Sequence, residues 1–132
     1  MVQKDHLLCI GAGPKSIAIA ARLWAMKELG WSVPDLTVIE KHHVGSAWTG
    51  RAGYTDGLQL LGTIPFKDIG FPYRSFRDDL DVNAKLLELS WEAYLVSRQL
   101  FADWVDRGMR FPSHGEWANY LSWVAECIGM NP

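Results

Sequence analysis

The stretch Leu7–Ala21, LLCIGAGPKSIAIAA, constrains this chain more than any other. A short apolar run, Leu7 to Ile10, breaks at Gly11 and Gly13, and an apolar helical pattern follows at once. Strand, glycine turn and helix in that order open a dinucleotide-binding βαβ unit. Gly11 permits the tight turn, and Gly13 has no Cβ to hold the backbone away from a pyrophosphate. Pro14 suits the first helical position, since its fixed φ matches a helix and its missing N–H costs nothing there. The free N–H groups of that turn, with the positive end of the helix dipole, then face the phosphates. Ser16 stands where the usual pattern has a third glycine and is small enough for close helix–strand packing.

A lone Gly-x-Gly is weak, so the surrounding order decides. A helix is expected from about Pro14 to Leu29, then Gly30, a turn containing Pro34, and the run Leu36-Thr37-Val38-Ile39-Glu40. This second strand is β-branched, buried in character, and ends in an acid. A carboxylate at that strand end accepts hydrogen bonds from an adenosine ribose. The alternative is a glycine-rich turn that binds nothing, with Glu40 as a solvated strand end. Strand, turn, helix, strand and acid in sequence within 40 residues favour the first reading.

The 132 residues suit one small domain, and a hydrophobic fraction of 48% with seven Trp suffices for a core. A net charge of −2 without a Lys/Arg cluster argues against a nucleic-acid partner. Cys9 and Cys127 read as buried small hydrophobes in a reducing compartment, and no cysteine pair has metal spacing. No run approaches the ~20 apolar residues of a membrane span. The N-terminal apolar segment is too short for a signal peptide and serves as a strand. A cytoplasmic protein is expected.

Adjacent His42 and His43 point to opposite faces of an extended segment, so loop histidines are a better reading than metal ligands. From Val44 to Asp81 regular periodicity fades into a turn-rich region with Trp48, Tyr54, Phe66, Phe71, Tyr73 and Phe76. That aromatic content argues for a functional loop rather than disorder. Trp48 covers a flat cofactor ring or plugs the edge of the core. Lys67-Asp68 is a charged pair inside an apolar stretch, with the lysine reaching to solvent or facing a carboxylate in a cleft. Ser90 reads as an N-cap, followed by one helical face through Tyr94, Leu95, Leu100, Phe101, Trp104 and Val105 to Gly108. Ser113-His114-Gly115-Glu116 fits a capping box, opening a last helix that carries Trp117, Tyr120, Leu121, Val124 and Ile128 to Gly129. These aromatic stripes read as core.

Taken together, Gly11-Ala12-Gly13-Pro14, Glu40, Trp48, Lys67-Asp68 and Glu116 to Trp123 resemble the N-terminal part of the flavin-dependent N-hydroxylating monooxygenases. These are the siderophore lysine and ornithine N-hydroxylases. Tyr54 to Gly57, Lys67 to Ser75 and Trp104 to Gly108 resemble the mycobactin-type lysine branch. The resemblance implies an α/β fold: a Rossmann-like FAD-binding βαβ unit over 5–41, a loop-rich cofactor and substrate segment over 42–83, and a helical segment over 84–130. It implies FAD over Gly11, Gly13, Pro14, Lys15 and Ser16 and at Glu40 and Lys41, with Trp48 beside the flavin. Lys67 matches the lysine that holds the substrate's carboxylate. Gln59 is a more distant counterpart of a substrate-side glutamine. The implied reaction is NADPH-dependent hydroxylation of a small amine in siderophore biosynthesis. No residue need act as nucleophile, and no metal is implied.

The family's chains are considerably longer, and an NADPH-binding domain follows the segment represented here. Two strands make an incomplete parallel sheet. The chain is therefore expected to be a fragment, or one chain of a split enzyme inactive without a companion polypeptide. A self-dimer through exposed strand edges fits as well. The alternatives are a non-catalytic flavin- or nucleotide-binding remnant or interaction module, or, on the glycine turn alone, a small NAD-binding protein.

Overall fold

The computed structural model describes residues 4–73 and 79–132. Arg74, Ser75 and Phe76, which figured in the sequence reading, lie outside the described residues. The chain opens with β1 (His6–Ile10), α1 (Pro14–Glu28) and β2 (Asp35–Ile39). The two strands pair in parallel, from His6 opposite Asp35 to Ile10 opposite Ile39, with α1 as the crossover. A 3-10 turn over Ser46–Trp48 follows, then a long irregular stretch. The C-terminal part is helical: α2 (Leu80–Leu86), α3 (Trp91–Ser97), α4 (Phe101–Asp106) and α5 (His114–Cys127). Helix α2 starts inside the stretch read from sequence as loop.

Local chemistry sets the helix starts. Ser90 accepts the Ala93 N–H at 3.1 Å and caps α3. Ser113 and Glu116 form the expected capping box: the Ser113 hydroxyl accepts the Glu116 N–H at 3.1 Å, and the Glu116 carboxylate accepts the Ser113 N–H at 2.7 Å. The helix expected from Ser90 to Gly108 is two helices. Gln99 adopts a left-handed φ of 59°, its N–H bonding to Val96 O and the Leu100 N–H to Leu95 O. This is the double hydrogen bond of a Schellman end, here built on a residue that carries no such signal.

The core lies among the helices. Ile17, Ala20, Ala21 and Ala25 form the buried side of α1, which packs on α2 and α5. Against it sit Val82 and Leu86, then Leu89, Trp91, Tyr94 and Leu95, then Trp104, and finally Trp117, Tyr120, Leu121 and Val124. The rings of Trp91, Tyr94, Trp117 and Tyr120 meet at centroid distances of 4.8–5.8 Å. The aromatic stripes are thus core, although Leu100, Phe101 and Val105 stay partly exposed.

The sheet differs from its sequence reading. β2 reads as buried, yet Thr37 and Ile39 are exposed, and on β1 Leu8 is 59% and Ile10 85% exposed. Apolar composition marks strands suited to burial. Within these residues α1 turns its small-residue side towards the helices instead. The cysteines need the same correction: Cys9 is half-buried and Cys127 is exposed, because it ends α5 where the helix meets solvent.

Candidate functional site

The turn between β1 and α1 opens onto a cleft of about 490 Å³. Gly11, Gly13, Pro14, Lys15, Ser16, Glu40 and Trp48 line it. Gly11 has φ +91°, a conformation that side chains resist, and a Cβ on Gly11 or Gly13 would meet nothing within 4 Å. The glycines therefore leave an open cradle rather than a packed turn. Helix α1 begins at Gly13 with Pro14 in its first turn, and it has neither a side-chain cap nor an acid there. Its first N–H groups and positive dipole end remain available to an anion.

Glu40 closes one side. Its Oε2 accepts the Ala12 N–H at 2.7 Å and its Oε1 accepts the His42 N–H at 2.9 Å. These bonds, the one from Ala12 foremost, hold its carboxyl below the usual glutamate range. The ionised carboxylate has further lone pairs for ribose hydroxyls. The opposite wall is the Ser46–Trp48 turn, fastened where the Gly45 N–H donates to Ala12 O at 2.9 Å. Trp48 meets the His114 ring edge-on, and the Thr55 hydroxyl lies 2.7 Å from His114 Nδ1. An open glycine cradle, unfilled N–H groups and an acid at the strand end fit a dinucleotide cofactor of the FAD kind.

Seven of the sequence-read residues thus share one cleft; three do not line it. Lys41 is exposed just beyond Glu40. Gln59 is exposed and gives its carbonyl to the His114 N–H, along a track that pairs Leu60 with Ser113. Lys67 is exposed, with Nζ 5.7 Å from the Phe71 ring centroid. Sequence reasoning missed Gly45, Ser46 and Ala47 as parts of the wall, and His114 as the ring packed against Trp48. The Gly45-Ser46 turn before Trp48 was a usable signal, whereas the His114 contact spans 66 positions and has none. A somewhat larger groove, of about 570 Å³, runs between α1, β2 and the end of α5 and contains none of these residues. Among the described residues no group of His, Cys, Asp or Glu is arranged to hold a metal, and no helix is long and apolar enough to cross a membrane.

No family model matches the chain. The L-lysine N6-monooxygenase MbtG of Mycobacterium sp. (strain MCS) is 48% identical over 128 residues, 95% of this chain and 30% of MbtG. The structure of the lysine monooxygenase NbtG from Nocardia farcinica, described for its NADPH domain conformation, superposes with a TM-score of 0.91 at 43% identity. The match covers 96% of this chain and 34% of NbtG. The Kutzneria sp. 744 ornithine N-hydroxylase KtzI matches 98% of this chain and 27% of its own at TM-score 0.66 and 15% identity, a likeness of fold. The chain spans about 30% of the length of the lysine monooxygenases it matches in sequence.

Proposed function

We propose that this chain, similar over nearly its whole length to part of the siderophore lysine N-hydroxylases, forms the FAD-binding and substrate-facing part of such an enzyme. The reaction is NADPH-dependent hydroxylation of the side-chain amine of lysine, in the cytoplasm. One observation carries the reading: the Glu40 carboxylate is bonded to Ala12 N–H over an open glycine cradle, in a chain 48% identical to a lysine N6-monooxygenase.

The chemistry that FAD supplies when bound is passage of reducing equivalents from NADPH to O₂, one oxygen atom of which goes to the substrate nitrogen. This chain's residues bind and orient. The first N–H groups of α1, from Lys15 and Ser16, hold the pyrophosphate over Gly11, Gly13 and Pro14. Glu40 accepts ribose hydroxyls, and exposed Lys41 lies at that rim. Trp48 forms the wall beside the flavin ring. Lys67 pairs its ammonium with the substrate's α-carboxylate, with Gln59 on the same side, so that the far amine is presented to the flavin. We assign NADPH to the part of the enzyme beyond the matched stretch, given the NADPH domain described for NbtG. That part comes from the same polypeptide or a companion chain.

The test is FAD titration of the purified chain, read by flavin absorbance and fluorescence together with native mass. Uptake that is weakened in Glu40→Ala supports the reading. A folded chain that takes up no FAD, alone or mixed with the rest of the enzyme, overturns it.

A further inference from the structure

Lys67 and Asp68 are neighbours in sequence and part company in space. Lys67 is exposed, whereas Asp68 is 8% exposed. Asp68 turns inward onto three donors. Its Oδ1 accepts the Gly70 N–H at 3.2 Å and the Tyr73 hydroxyl at 2.5 Å, and its Oδ2 accepts the Trp91 N–H at 2.9 Å. Among the described residues Lys67 enters no ion pair.

The loop around them is tightly determined. The Lys67 N–H bonds to Ile64 O and the Phe71 N–H to Asp68 O, giving two consecutive turns that meet at the Lys-Asp step. The Tyr73 ring lies on Gly70 so closely that a Cβ there would come within 2.5 Å of it. The Ile69 N–H points at the Tyr120 hydroxyl, which itself donates to Leu89 O at 2.8 Å. Asp68 therefore ties this loop to the start of α3, and its neighbour Ile69 ties it to the buried face of α5.

We propose that Asp68 is a positioning residue for the substrate's carboxylate: bound to three interior donors, it fixes the loop and keeps its own charge off the Lys67 ammonium, whose recorded contact is the Phe71 ring. This rests on the reading of Lys67 given above. An aspartate beside a lysine on an open turn competes with any incoming carboxylate for that ammonium. Here the competitor is withdrawn into the interior, where its lone pairs are met by neutral groups in place of the lysine. The same bonds limit the directions in which Lys67 can point.

The test uses Asp68→Asn, which sets an NH₂ against one of the donors, and Tyr73→Phe, which removes one donor and keeps the ring. Acylation of Lys67 in the full chain by a succinimidyl ester is followed by peptide mass spectrometry, with Lys15 and Lys85 as internal references. Melting curves confirm folding. Lys67 labelling is expected to change by about threefold or more in Asp68→Asn, with a smaller change in Tyr73→Phe and constant references. In the FAD-loaded enzyme, Asp68→Asn is expected to raise KM for L-lysine about tenfold while kcat is largely kept. Unchanged labelling in the folded variants overturns the proposal. So does a loss of kcat at constant KM, which a purely structural role would give. If Asp68→Asn does not fold, Tyr73→Phe alone decides. Unchanged KM in Lys67→Ala sinks the substrate role of Lys67 instead and leaves the labelling result standing, so the two failures are distinguishable.

Discussion

The Trp48 and His114 rings meet edge-on, 4.8 Å between centroids and 76° between planes. This contact joins the wall of the proposed FAD cleft to the first turn of α5, which is also fastened to the 57–61 track by the bonds from the His114 N–H to Gln59 O and the Gly115 N–H to Gly57 O. Removing the imidazole leaves Trp48 without its neighbour. His114→Ala is expected to weaken FAD binding about fivefold while the chain stays folded, an edge contact being worth about 1 kcal/mol. Titration with FAD, beside a melting curve, checks it.

Glu40 gives a pH dependence with a definite sign. Its folded pKa lies below its ordinary value of 4.5, because the Ala12 and His42 N–H groups favour the carboxylate. The native state therefore releases this proton more readily than the unfolded one. Its stabilising contribution is present above pH 4.5 and is lost as pH falls through the folded pKa. Denaturant melts of wild type and Glu40→Gln should converge as pH drops below that value.

Asp68 runs the other way. Burial outweighs its three donors and pushes its carboxyl above the ordinary 3.8. The native state takes up this proton before the unfolded state does. Wild type should therefore gain stability relative to Asp68→Asn as pH falls through the folded pKa towards 3.8, and lose it as pH rises. Paired urea titrations across the acid range read the sign directly.

The capping box at α5 offers a local test of fold stability. Ser113→Ala removes the acceptor for the Glu116 N–H and should cost about 1 kcal/mol. For a chain of this size that lowers the melting temperature by roughly 3–6 °C, readable by circular dichroism.

Two glycines in the irregular stretch should respond unequally. Gly50 has φ +79°, and a Cβ there would sit 2.3 Å from the Asp56 carbonyl oxygen, so Gly50→Ala should cost about 1–3 kcal/mol. At Gly62 a Cβ meets nothing within 4 Å, and Gly62→Ala should stay within about 0.5 kcal/mol. Chemical denaturation of the two variants separates these outcomes.

The βαβ opening was readable because its signals are local: an apolar run, two glycines, a proline and an acid at set intervals. The α5 start was readable for the same reason, since a capping box spans four residues. The α3–α4 break was not. Gln99 performs at the end of α3 what Gly30, Gly108 and Gly129 perform at the ends of α1, α4 and α5. Nor could the sequence reading separate Lys67 from Asp68, because the donors that draw the aspartate inward include Trp91, 23 positions away. Strand burial misled for a different reason. Composition tells what a strand can tolerate around it, and what surrounds it is decided elsewhere.

The exposed sheet couples the proposed FAD cleft to whatever polypeptide lies across it. Leu8, Ile10 and Ile39 offer apolar surface to any polypeptide that lies across them, and such cover favours the folded form by an amount that grows with the logarithm of its concentration. A polypeptide that covers these residues should therefore tighten FAD binding at the Gly11–Glu40 end, and the affinity of the uncovered chain is a lower bound to that of the covered sheet.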